Sequence, residues 1–148
     1  MKLRYVTILT AGLLLGADAP QSGAAGQDQD RLQGAWGLVA LEVNGQPLTV
    51  EKLKEARLEI RGESYDFRLG ETALALTYRL RPAETPKAID LTIASGRNKG
   101  KTFFGIYKLE GDTYTICRPT EPGKGRPTAF ATKAGSGLML VVWKRQKA

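Results

Sequence analysis

The sequence predicts an all-β protein, a single antiparallel barrel of eight or nine strands with one short helix after the first strand. From Gly34 onward, apolar and polar residues alternate with a period of two, which is typical of strands with one buried face. Turn residues such as Asn44-Gly45 and Gly135-Ser136-Gly137 separate these runs. Because a meander of short strands must hide its edges, we expect it to close into a barrel.

The individual elements follow from the same pattern. Leu138 to Trp143, apolar on both faces, is the last predicted strand, and another strand is expected to begin at Arg126-Pro127. Residues 50–56 are predicted to form a helix of about two turns, because Val50, Leu53 and Ala56 share one face. The other residues expected to face inward are Leu58, Ile60, Tyr65, Phe67, Leu69, Leu74, Leu76, Tyr78, Leu80, Ile89, Leu91, Ile93, Phe103, Tyr107, Leu109, Tyr114 and Ile116.

The first 25 residues have the pattern of a secretory signal peptide. Lys2 and Arg4 precede an apolar stretch from Val6 to Gly16, and cleavage is expected after Ala24 or Ala25. Residues 26–33 are then a short polar lead-in, and residues 34–148 form the barrel domain. The product is expected to be exported, either periplasmic or secreted, and to have no membrane span once the signal peptide is removed.

The formal charge of +7 favours attraction to anionic partners. The basic residues are dispersed, whereas nucleic-acid-binding proteins concentrate them, so no nucleic acid is expected. Partners are otherwise unknown, and a small apolar ligand, an envelope protein or a polyanion would each fit. Arg97, Lys99, Lys101 and Lys124 are the candidate surface contacts.

No catalytic residue, metal site or cofactor is predicted. The chain has no histidine, which removes the commonest general base and most zinc sites. Its single cysteine, Cys117, cannot form an internal disulfide. Arg118 should point to the opposite face of the strand, so Cys117 is interpreted as a small buried residue, with a reactive thiol as the alternative. The Gly123-Lys124-Gly125 segment lacks the spacing of a phosphate-binding loop.

Gly34, Trp36 and Arg145 are expected to close the barrel. They lie at the start of the first strand and the end of the last, which are neighbours in a closed barrel. An arginine stacked on the Trp36 indole would seal this end and stabilise it by about 0.5–2 kcal/mol.

Several short motifs, taken in order, resemble a lipocalin-like domain of unknown function that is abundant in planctomycete bacteria. Ala35 differs from the hydroxyl residue more usual there. The resemblance implies a small exported β-barrel of the calycin type, and it implies no known activity, cofactor or catalytic residue. The matching segments are residues 32–36 (LQGAW), 42–45 (EVNG), 86–91 (PKAIDL), 105–112 (GIYKLEGD), 116–117 (IC) and 126–130 (RPTAF).

The leading hypothesis is a non-enzymatic binding module with a small apolar ligand inside the barrel. A cavity above roughly 300 Å³ would support it, and a completely filled interior would exclude it. The alternative is an envelope interaction or inhibitor module that acts through Arg97 to Lys101 and the Arg118 to Arg126 loop. An enzyme ranks third. The candidate lining residues are Leu58, Ile60, Phe67, Leu76, Tyr78, Leu91, Phe103, Tyr107 and Ile116.

Overall fold

The computed structural model describes residues 26–49 and 51–147, so the predicted signal peptide lies outside the described residues. Residues 26–32 are helical (α1) and Glu51–Glu55 form a 3-10 helix (η1). The strands are β1 (Gly34–Val43), β2 (Gln46–Pro47), β3 (Arg57–Arg61), β4 (Ser64–Leu69), β5 (Thr72–Arg81), β6 (Ala88–Ile93), β7 (Thr102–Glu110), β8 (Thr113–Pro119) and β9 (Leu138–Arg145).

The strands form one antiparallel sheet that closes on itself, which confirms the predicted fold class. Each strand from β3 to β9 pairs with the next, and β1 pairs with both β3 and β9. The wall therefore has eight strands, and the two-residue β2 is an addition to β1 made through the Asn44-Gly45 turn. The positive φ values of Asn44 (52°) and Gly45 (84°) suit this two-residue hairpin.

The two ends of the barrel differ. At the end where β1 begins and β9 finishes, α1 covers the interior, with Leu32 fully buried and its carbonyl accepting a 2.8 Å hydrogen bond from Trp36 Nε1. Asp28 of α1 is also buried, and its Oδ2 accepts a 2.6 Å hydrogen bond from the Tyr107 hydroxyl. We call this the closed end and the opposite one, where β1 finishes, the open end.

Two local predictions change in the structure. The predicted helix at 50–56 is the shorter η1, with Leu53 half-buried and Ala56 fully buried, while Val50 lies outside the described residues. The prediction of a strand that begins at Arg126-Pro127 is wrong. Because β8 pairs directly with β9, the closed wall has no place for another strand, and Pro127 has no N–H for one.

Residues 120–137, which we call the strap, instead cross the outer face of the barrel without forming a strand. Arg126 fixes the strap with hydrogen bonds to the Gly105 carbonyl (2.8 Å) and to Asp90 Oδ1 (2.7 Å).

Candidate functional site

An apolar cavity of about 170 Å³ lies inside the barrel towards the open end. It is smaller than the roughly 300 Å³ of a typical ligand pocket, yet the interior is not filled. Its wall is made of aliphatic and aromatic side chains and one charged residue. The lining residues are Leu38, Leu41, Leu53, Tyr65, Phe67, Leu74, Leu76, Leu91, Ile116, Arg118, Met139, Val141 and Trp143.

The nine predicted lining residues divide into two groups. Phe67, Leu76, Leu91 and Ile116 line the cavity. The other five, Leu58, Ile60, Tyr78, Phe103 and Tyr107, belong to the same buried core and do not line it.

Large side chains fill the closed half of the barrel, which explains why Leu58, Ile60, Tyr78 and Tyr107 do not line the cavity. Phe103 lies at the open end, where the Arg118 guanidinium covers its ring. The Tyr65 and Tyr114 hydroxyls are hydrogen-bonded to each other at 2.9 Å, and the Tyr114 ring lies edge-on to Trp36 with 5.7 Å between ring centres. Burial raises the pKa of Tyr65 to about 12, even though the bond from Tyr114 acts in the opposite direction. The Tyr65 phenol therefore stays neutral near pH 7, and of the Tyr65, Tyr114 and Trp36 rings it is the one that lines the cavity.

Sequence analysis missed the residues that β1 and η1 contribute to the lining. The pairing of β1 with β9 shifts between Leu38 and Ala40, which leaves Val39 60% exposed and allows both Leu38 and Leu41 to reach the cavity. The bulge breaks the period of two, so the alternation does not identify Leu41. Leu53 comes from a helix, to which a strand pattern does not apply.

The wall has a gap next to the cavity. β1 pairs with β3 only over Gly34–Gly37, and further along this edge the Leu41 carbonyl accepts a hydrogen bond from Leu48 N and residues 42–43 pair with β2. η1 lies over this gap, and Leu53 extends from it to the cavity. Displacing η1 would therefore expose the cavity without breaking a strand pair.

Arg118 is the charged residue of the cavity. Tyr114, Ile116 and Arg118 alternate along β8 on the inner face, while Cys117 between them faces the strap. Arg118 thus belongs to the barrel interior rather than to the basic loop in which the sequence placed it. Its guanidinium carbon lies 4.3 Å from the Phe103 ring centre, and burial lowers its pKa.

The predicted closure by Gly34, Trp36 and Arg145 has the expected geometry. Arg145 lies over the Trp36 indole, with 4.4 Å from guanidinium carbon to ring centre, and its Nη1 donates a 2.7 Å hydrogen bond to the Gln33 carbonyl. A Cβ on Gly34 would come within 3.3 Å of Arg145 Nη1, so the glycine provides room for the arginine.

The candidate surface residues all lie at the open end. Arg97, Lys99 and Lys101 are exposed on the β6–β7 loop, and in the part of the chain that the structure describes they form no ion pair. Lys124, in the strap, is 4.0 Å from Glu121. The two segments meet where Gly123 N donates a 2.8 Å bond to the Thr102 carbonyl.

Cys117 has the environment expected of a structural residue. It is fully buried, and its Sγ lies 3.8 Å from the Ala131 carbonyl of the strap. Burial raises the pKa of the thiol, which disfavours the reactive thiolate. Within residues 26–49 and 51–147, no three Cys, Asp or Glu side chains are grouped so as to hold a metal ion.

No protein-family model, curated protein or solved structure matches this chain. The closed antiparallel barrel of eight strands is compatible with a calycin, or lipocalin-like, fold. None of the helices in the described ranges has the length and hydropathy required to cross a bilayer.

Proposed function

We propose that this protein is an exported, non-enzymatic binding module that holds a small apolar ligand in the open half of its barrel. The cavity of about 170 Å³ is the observation that carries the proposal. Twelve of its thirteen lining residues have aliphatic or aromatic side chains, so an apolar molecule would gain there the burial that drives hydrophobic binding.

The size of the cavity limits the ligand. An engineered apolar cavity of about 150 Å³ is known to hold one benzene molecule. The buried part of the ligand is therefore about the size of a benzene ring, and any longer chain would extend out of the cavity, at the open end or beneath η1. A cavity of about 170 Å³ is too small to enclose a long lipid completely.

A pair of matched substitutions on β5 tests the proposal. Leu74 and Leu80 are both half-buried and pack on the barrel core, and of the two only Leu74 lines the cavity. Leu74→Phe should fill the cavity and weaken the binding of benzyl alcohol, measured by Trp143 fluorescence, by about tenfold or more, whereas Leu80→Phe should not. Benzyl alcohol binding that is equal in both variants would contradict the proposal.

A second candidate function is an envelope interaction or inhibitor module. The observation in its favour is that Arg97, Lys99 and Lys101 project from one exposed loop at the open end. Replacing all three by Gln would abolish binding to an anionic polymer such as heparin if this loop is the contact surface. Unchanged heparin retention in the triple variant would remove this candidate.

The proposed export rests on the signal-peptide pattern of residues 1–25. Membership of the planctomycete lipocalin-like family is likewise proposed from the sequence motifs, with the barrel fold as its support. Fractionation of cells expressing the full chain, followed by mass determination of the exported protein, tests the export. A product that stays in the cytoplasm at full length would contradict it.

A further inference from the structure

Arg118, which is half-buried, differs from the other residues that line the cavity because it carries a positive charge. The other twelve lining residues carry no charge that could compensate it. Gly105, opposite Arg118 on β7, leaves space for its side chain. A Cβ there would lie 3.1 Å from Arg118 Cβ and 3.0 Å from the Cys117 carbonyl oxygen.

Arg118 makes few hydrogen bonds to the part of the chain that the structure describes. A guanidinium has five N–H donors. Among the described residues, only the Pro119 carbonyl accepts one of them, at 2.9 Å from Nη1. No Asp or Glu of residues 26–49 or 51–147 forms an ion pair with Arg118.

Two other arginines that stack on aromatic rings show how this chain satisfies a partly buried guanidinium. Arg126 lies 5.3 Å from the Phe104 ring centre and bonds Asp90 and the Gly105 and Ile89 carbonyls. Arg145 bonds the Gln33 and Arg31 carbonyls and lies 3.5 Å from Asp112.

Arg118 is half-buried, so its guanidinium loses part of its hydration, and a nearby negative charge or hydrogen-bond acceptors would offset that cost. A ligand that carries such a charge into the cavity would supply the acceptors that the protein does not. The exposed Arg97, Lys99 and Lys101 lie at the same end and would attract an anion towards it.

We propose that the ligand is a small monocarboxylate whose apolar part occupies the cavity and whose carboxylate is bound by the Arg118 guanidinium. This inference rests on the proposed function and adds the class of ligand. A planar carboxylate can accept two parallel hydrogen bonds from an arginine. A single negative charge also matches the single cation of the cavity, whereas a phosphate monoester would bring a second charge that nothing in the lining neutralises.

Tyr65 is a second donor for the same carboxylate. It lines the cavity, and its hydroxyl shares a hydrogen bond with the Tyr114 hydroxyl, either of which can be the donor. When Tyr114 donates to Tyr65, the Tyr65 hydrogen is free to bond the ligand. The hydrogen bond between Tyr65 and Tyr114 can therefore persist both when the cavity is empty and when a carboxylate is bound.

The test compares benzoate with benzyl alcohol, which have the same ring and differ in charge. In calorimetric titrations the unaltered protein should bind benzoate about tenfold or more tightly than benzyl alcohol. Arg118→Gln should erase this preference. Arg97→Gln, which removes one exposed cation from the same end, is the matched control and should keep it.

Arg118→Met provides a second variant, in which an unbranched apolar side chain replaces the half-buried cation, and it should also lose the preference for benzoate. Equal affinity of the unaltered protein for the two compounds, or a preference retained in Arg118→Gln and Arg118→Met, would overturn the carboxylate inference and leave the proposed function standing. If neither compound binds, the proposed function fails as well.

Discussion

Arg118 and Phe103 meet inside the barrel, with the guanidinium carbon 4.3 Å from the ring centre, and among the described residues this guanidinium donates a hydrogen bond only to the Pro119 carbonyl. A cation over an aromatic face is stabilised by about 0.5–2 kcal/mol. Such a contact does not restore the hydration that the charge loses on burial. We therefore expect the free protein to be less stable than the same barrel with an apolar residue at this position.

Replacing Arg118 by methionine should accordingly raise the free energy of unfolding, by about 1 kcal/mol. Methionine is unbranched and can occupy the space of the arginine stem. Urea unfolding at neutral pH without ligand measures the change. A loss of more than about 1 kcal/mol would show that Arg118 stabilises the fold, contrary to this account.

Replacing Arg145 by methionine should lower the free energy of unfolding rather than raise it. Arg145→Met removes the bonds to the Gln33 and Arg31 carbonyls and the stacking on Trp36, so the free energy of unfolding should fall by about 2–3 kcal/mol. Urea unfolding of the two variants side by side gives the comparison. Similar effects at both positions would contradict the distinction between a satisfied and an unsatisfied arginine.

Lowering the pH should weaken the contact between Arg126 of the strap and Asp90 of β6. Burial alone would raise the pKa of Asp90, but the hydrogen bonds from Arg126 (2.7 Å) and Arg81 (2.9 Å) outweigh it and lower the pKa below 3.8. The unfolded state therefore binds a proton more readily, and the stability present above pH 3.8 is lost as the pH falls through the lower folded-state value.

Urea unfolding measured from pH 5 down to about pH 2 tests this prediction. The unaltered protein should lose stability over this range, and Asp90→Asn, which cannot titrate, should lose less of it. Equal slopes in the two proteins would exclude Asp90 as a source of acid sensitivity.

Alkali should destabilise the fold through its buried tyrosines. The pKa of Tyr65 is raised to about 12, and burial also raises the pKa values of Tyr78, Tyr107 and Tyr114. The unfolded chain ionises near pH 10.0, so the stability present below that pH is lost as the pH rises towards the folded-state values. Tyrosinate absorbance should appear together with unfolding. A normal titration of these phenols in the folded protein would contradict their burial.

The alternation of apolar and polar residues predicts most of the barrel. A strand has a fixed side-chain period, so the inward residues of β3 to β8 follow directly from it. The closure also follows, because Trp36 and Arg145 occupy the first and last strands and pair with each other. The strand pattern depends on local geometry, whereas the closure follows from the need to pair the two edge strands.

The cavity is harder to predict from the sequence because it depends on the space that the inward side chains leave unfilled. Leu41 reaches it through a bulge, and Leu53 through η1, neither of which the alternation shows. Arg118 does carry a signal, since it continues the inward series of Tyr114 and Ile116. Its charge and the prolines that follow it suggest a loop instead, and only the pairing of β8 with β9 through Pro119 and Leu138 places it inside.

Met139 offers the most direct measurement of the central claim, that the barrel holds a small apolar ligand. It lines the cavity, and the other methionine of the chain is Met1, so isotope-labelled methionine methyl groups give at most two NMR signals. Met139→Leu identifies the signal of Met139. On titration with benzyl alcohol or benzoate, the Met139 methyl signal should shift and saturate at a defined ligand concentration. A Met139 signal that does not move with either compound would contradict the claim.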